Sequence, residues 1–172
     1  MKTLADEVLR LGHRRIAVIS GIIDGNDRAR QRLEGVKDAV LEAGLDPAKL
    51  RIVETLYEIE SGAAAFEKLL SQPERPSVVI CGNDVLGVGA LGQAREMGMD
   101  VPGDVSITGF DDIELAKVAT PALATVQVPH GKMGRTAARV LIDMIENQSV
   151  VPSVELATEL KLRASLGPVP SE

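Results

Sequence analysis

The chain is poor in the residues that most often carry catalysis or cross-linking. Cysteine occurs once, at Cys81 in the apolar run Val78-Val79-Ile80-Cys81, so no internal disulfide can form and a buried thiol in a reducing, cytoplasmic setting is expected. His13 and His130 are the only histidines, with no Cys or second His at ligand spacing, so no metal site is expected. Tryptophan is absent and aromatics make up 2% of residues, which makes the single tyrosine, Tyr57, worth locating. The 19 Lys and Arg against 25 Asp and Glu leave a net charge of −6 and never form a block. Any grip on nucleic acid phosphates must therefore come from outside this segment. No run is long and apolar enough to span a bilayer, and Met1-Lys2-Thr3-Leu4 is not followed by a signal-peptide core. Walker loop and G-x-S-x-G elbow are both missing. Asp111-Asp112 has no acidic pair after the first strand with which to build a phosphoacceptor pocket. No catalytic set is found, so neither enzymatic activity nor a cofactor is expected.

What remains is a regular alternation. At 172 residues the chain suffices for one domain, or one large piece of a two-lobed protein. Ala5 to Leu11 reads as the end of a helix stopped by Gly12, and Arg14 to Ser20 as a buried strand around Ile16-Ala17-Val18-Ile19. A helix from about Asp27 to Ala43 carries Leu33, Val36, Val40 and Leu41 as its apolar stripe. Further strands follow at Arg51 to Leu56, Ser77 to Gly82, Val105 to Thr108 and Thr125 to Val128, with helices from Ser61 to Leu70 and from Asp84 to Met97 between them. Gly131 to Asn147 is the longest amphipathic helix, with Met133, Ala137, Val140, Leu141, Met144 and Ile145 on its apolar side. Val154 to Ala164 alternates and reads as a last strand. Strands and helices alternating over short links specify an α/β fold with a doubly wound parallel sheet.

In such sheets ligands lie outside the carboxyl ends of the strands. Those ends are polar here: Ser20 to Asp27, Tyr57-Glu58, Asn83-Asp84 and Asp111-Asp112. An amide, a carboxylate, a guanidinium and an aromatic face suit a small polyhydroxylated molecule. Asp84 and Asp112 read as helix caps and Arg30 as a surface charge, whereas for Asn83 and Asp111 ligand contact is preferred over turn chemistry. Gly87-Val88-Gly89-Ala90-Leu91-Gly92 matches G-x-G-x-x-G. Its glycines fall inside a helix rather than in the turn after a strand, so close helix packing is the better reading.

Taken together, Leu11-Gly12-His13-Arg14-Arg15-Ile16-Ala17, Arg30-x-Arg32-Leu33-x-Gly35, Ser61-Gly62, Asn83-Asp84 and Val101-Pro102-Gly103-Asp104-Val105-Ser106 through Asp112 carry a resemblance. With Pro121-x-Leu123-x-Thr125-Val126, Met133-Gly134-Arg135 and Thr158-Glu159-Leu160 it spans nearly the whole chain. The sequence resembles the effector-binding core of a LacI/GalR-family transcriptional repressor. That resemblance implies a periplasmic-binding-protein-like fold of type I, mainly its second lobe, with a small effector such as a sugar, sugar derivative or nucleobase held between two lobes. A helix-turn-helix outside this segment would bind DNA, as a homodimer. By position, Arg32, Tyr57, Asn83 and Asp111 match effector contacts. Arg28 and Val128 depart from the family's frequent Ser or Thr and Gln, which bears on the identity of the effector.

The resemblance divides the chain into 1–12, a helix end of the first lobe; 13–126, the second-lobe domain; 127–150, a crossover and helix of the first lobe; and 151–172, the closing strand and tail of the second. It also draws Gly87, Val88, Leu91, Val118 and Ala119 toward a dimer interface, although core packing explains these residues equally well. The helix of 131–147 would lack its usual partner and would pack elsewhere, by domain exchange or in an oligomer. Two other classes remain: a periplasmic sugar-binding protein of a transporter, and a nucleotide-dependent enzyme using the Gly87 segment.

Overall fold

The structure is a computed structural model that describes residues 1–147 and 152–170. Four parallel strands, β1 (Ile16–Gly21), β2 (Arg51–Thr55), β3 (Val78–Cys81) and β4 (Ser106–Thr108), form a sheet in the order β2-β1-β3-β4. The register sets Ile16 opposite Val78, Ala17 opposite Arg51 and Val78 opposite Ser106. Strands β1 and β3 are buried on both faces, which is why they read as continuous apolar runs rather than alternating ones.

Alternate residues divide the core between the two faces. Ala17, Ile19, Val79, Cys81 and Ile107 pack beneath α3 (Ile59–Leu70) and α4 (Asp84–Glu96), with Phe66, Leu69, Leu70 and Leu86 completing that layer. On the other face Ile16, Val18, Val78 and Ile80 meet α2 (Asp27–Glu42) through Leu33, Val36 and Val40. Helix α1 (Lys2–Arg10) belongs to this second layer, burying Leu4, Ala5, Val8 and Leu9. Residues 1–12, expected with another lobe, thus close the core of this one.

Helix α2 buries Ala29, Leu33, Val36, Ala39 and Val40, a set at three- and four-residue spacing. Leu41, expected in that stripe, lies one step around the helix and is 63% exposed. Between α3 and α4 the backbones approach so closely that a Cβ at Gly62 would meet the Leu86 backbone, and one at Gly89 the Ile59 carbonyl. The G-x-G-x-x-G match is therefore a packing feature inside α4, as its helical position predicts.

Beyond β4 and the short helix α5 (Glu114–Val118), isolated parallel bridges join Thr108 to Ala124 and Asp111 to Gln127. They pass the sheet to β5 (Thr125–Gln127), which pairs antiparallel with β6 (Glu159–Lys161). The final strand is far shorter than the expected Val154 to Ala164, because β5 offers only three residues to pair with. The tail then docks: the Ser165 hydroxyl donates to Ile107 O at 2.6 Å and accepts from Ala124 N–H at 2.8 Å. His13, fully buried, bridges Ser77 Oγ (2.9 Å) and Gly167 O (3.0 Å).

Helix α6 (His130–Asn147) differs from all the others in burying none of its residues. Met133, Leu141, Ile142, Met144 and Ile145 are each between 44% and 69% exposed. Of the segment 127–150, residues 148–150 lie outside the described residues, as does residue 151.

Candidate functional site

At the carboxyl edge of the sheet, the segment after β4 is held by its own backbone. Gly109 N–H donates to Ala124 O, Asp111 N–H to Val126 O, and Asp84 N–H to Phe110 O, all within 2.9 Å. The chain reverses there with Asp111 at φ +110° and Asp112 at φ +59°, left-handed conformations that cost a non-glycine residue on the order of 1–3 kcal/mol. Strain of this kind collects where side-chain direction matters for function.

The neighbouring carboxylates meet different fates. Asp112 is 1% exposed and accepts from Arg163 Nη2 at 2.6 Å and Gln127 Nε2 at 2.8 Å. It is no helix cap, as the sequence suggested, but the clasp between β4 and the β5–β6 pair. Asp84, fully buried, accepts from the Thr125 hydroxyl at 2.5 Å and from Ile113 N–H at 2.8 Å. Burial pushes its carboxyl above the ordinary range, against the lowering effect of those bonds. The cap expected at Asp84 is supplied one residue earlier by Asn83, whose Oδ1 accepts from Leu86 N–H at 3.0 Å.

Asp111 turns instead toward α2 and the start of α6. Its carboxylate lies 3.5 Å from Arg32 Nη2, and burial raises its pKa while the Arg32 and His130 charges lower it. Arg32 is fixed from three directions: Nη1 donates to Gly82 O at 2.8 Å, Nη2 faces Asp111, and the guanidinium carbon stands 4.2 Å over the Phe110 ring. Arg30, one residue pair away, pairs with Asp27 on the surface as expected.

Around this pair opens a cleft of about 460 Å³, within the range that holds a small ligand. Polar groups come from Arg28, Gln31, Arg32, Asp111, His130 and Thr158, and apolar ones from Met1, Phe110, Val128, Pro129, Met133 and Leu156. The structure thus brings Arg32 and Asp111 together and leaves Asn83 and Tyr57 off the cleft wall. Tyr57 is half-exposed and its ring covers Gly21 at the end of β1, where any Cβ would collide with it. Sequence reasoning missed Gln31 and His130 as wall residues. Gln31 had a usable signal, since Arg28, Gln31 and Arg32 stand at three- and four-residue spacing on one face of α2.

The residues drawn toward a dimer interface separate. Gly87 packs against Leu123 and Leu91 lies in the chain's own core, whereas Val118 is 73% exposed and Ala119 half-covered. Among the described residues no group of three or more His, Cys, Asp and Glu is arranged to hold a metal ion. Cys81 is buried, its thiol pushed well above its usual range.

Residues 5–166 match the periplasmic binding protein-like domain. The chain belongs to this family. The HTH-type transcriptional repressor PurR of Shigella dysenteriae serotype 1 is 42% identical over 164 residues, covering 95% of this chain and 48% of the repressor. Among solved structures, the Escherichia coli transcriptional repressor ascG aligns with a TM-score of 0.86 and 31% identity, over 96% of this chain and 60% of that one. A LacI family transcriptional regulator from Enterococcus faecium with bound ribose aligns with a TM-score of 0.90 and 26% identity, over 97% and 62%. This chain therefore spans about half the length of the curated repressors it matches and carries the periplasmic binding protein-like fold. None of its described helices is long and apolar enough to cross a membrane.

Proposed function

We propose that this chain is the effector-sensing core of a LacI-type transcriptional repressor of the cytoplasm. It binds a small molecule at the Arg32–Asp111 cleft and acts by binding rather than by catalysis. The observation that carries this reading is the strained Asp111 backbone, which aims a carboxylate at a triply anchored arginine inside a ligand-sized cleft. Arg32 and Asp111 are the primary contacts, with Asn83 and Tyr57 flanking them at neighbouring strand ends. The effector is a sugar, sugar derivative or nucleobase. In the whole regulator, an effector preferring one lobe arrangement shifts the population competent to bind DNA through a domain outside this chain. Two such chains associate near Val118, with Val88 and Ala119 at its margin and the buried Gly87 and Leu91 supporting it from below.

The transporter reading shares the fold, but the relatives named above are regulators, which favours the repressor. A thermal-shift screen against sugars, sugar phosphates and nucleobases, run in parallel on Asp111→Ala, tests the site. A ligand that raises the melting temperature of the parent and not of the variant supports it. A ligand that stabilises both equally removes Asp111 from the site.

A further inference from the structure

The cleft is more cationic than its sequence motifs suggested. Asn83 and Tyr57, the neutral contacts expected there, are off its wall, and Arg28 stands on it beside Arg32. Among the described residues Asp111 is the only acid lining the cleft, and its charge is already matched by Arg32 at 3.5 Å. Arg28 is left over, with no ion pair or hydrogen bond to any described residue.

Its placement is unfavourable for a cation on two counts. Arg28 sits in the first turn of α2, where the helix dipole presents its positive end. It also stands four residues before Arg32 on the same helix face, so two like charges are neighbours. Asp27, the acid in that turn, is engaged with Arg30 rather than Arg28. In a chain of net charge −6, this leaves a hydrated, unpaired guanidinium on the cleft wall, open to a bound anion.

We propose that the effector carries an oxyanion, a phosphate ester or a carboxylate, held by Arg28 beside the Arg32–Asp111 pair. A planar guanidinium accommodates two oxyanion oxygens at once, and the bonds are charge-assisted. The Gln31 amide and the Thr158 hydroxyl supply hydrogen-bonding groups for the remainder of the ligand, and Val128, Met133 and Leu156 supply an apolar face. A sugar phosphate or sugar acid fits this set. The inference rests on the reading of this cleft as the effector site, and the experiment separates the two.

Glucose, glucose 6-phosphate and gluconate are titrated calorimetrically into the 172-residue chain, its Arg28→Ser variant and its Asp111→Ala variant, in low and high salt. Arg28 is exposed and has no described partner, so Arg28→Ser keeps the fold, which an unchanged melting curve verifies. The expected result is that a charged ligand binds at least tenfold tighter than glucose in low salt. High salt and Arg28→Ser each erase that preference, and Asp111→Ala weakens every ligand. The better of the two charged ligands identifies phosphate or carboxylate as the preferred group. Equal binding of all three, sensitive to Asp111→Ala, overturns the anion inference and leaves the site standing. Binding that ignores Asp111→Ala overturns both, and no binding by any member overturns the anion inference and leaves the site to the nucleobase arm of the thermal-shift screen.

Discussion

Asp84, Asp111 and Asp112 cluster at one strand end, yet only Asp111 is free to meet a ligand. Removing Asp112 strands Arg163 and Gln127 without their shared acceptor, and breaking a buried pair of this kind costs on the order of 3 kcal/mol. Asp112→Ala should accordingly lower the melting temperature by roughly 6–12 °C in a chain of this size. Asp111→Ala forfeits only a 3.5 Å ion pair at a partly exposed, strained position, so its stability should stay within about 1 kcal/mol of the parent. Urea unfolding followed by circular dichroism checks both, and equal losses would contradict the division of roles. His13 adds a pH signature. Burial depresses its pKa below the usual 6.5, outweighing the Gly167 carbonyl that raises it, and Arg14 depresses it further. The folded ring therefore stays neutral while the unfolded one takes up a proton as pH falls below about 6.5. Stability contributed by this site is full above that pH and is lost on acidification toward the folded value. Urea midpoints from pH 8 to pH 5 should fall more steeply for the parent than for His13→Gln, and parallel curves would contradict the assignment.

Elements were legible where burial repeats with the period of the backbone. Strands β1 and β3 and the helices α2 and α4 lie within a residue or two of their expected limits, because their apolar residues face both sheet layers or one helical stripe. What the sequence could not specify depended on partners. Strand β6 is short because β5 is short, and α1 joins the core because its Leu4–Val8 face finds the open side of α2, a tertiary fact with no local signal. Helix α6 is the converse case, an amphipathic pattern read correctly that no described element covers. If that stripe is an interface, the chain self-associates as concentration rises. Leu141→Glu combined with Ile145→Glu should then give a monomer with an unchanged melting temperature, since neither side chain is buried within the chain. Light scattering decides, and a parent that stays monomeric throughout the concentration range would contradict an interface role.

For the whole molecule, the topology made the edge that carries the cleft legible before any side chain was placed. Polar residues after each strand pointed to the carboxyl ends, and the cleft lies there. Its membership was harder to read. Arg32 and Asp111 converge because α2 and the β4 end meet over Phe110, whereas Tyr57 is drawn away to cover Gly21 and Asn83 is engaged as a helix cap. Arg28 and His130 enter the wall through helix geometry and the crossover into α6, neither of which a strand-end motif encodes. Whether this cleft receives the effector can be read residue by residue. The most direct test is a ¹⁵N–¹H NMR titration of the chain with the best ligand of the thermal-shift screen. Shifts are expected to concentrate at Arg28, Gln31, Arg32, Phe110, Asp111 and Val128, and to be abolished in Asp111→Ala. Shifts concentrated instead along Gly87 to Gly92, or at the amino edge around Arg14 and Lys49, would contradict binding at this cleft.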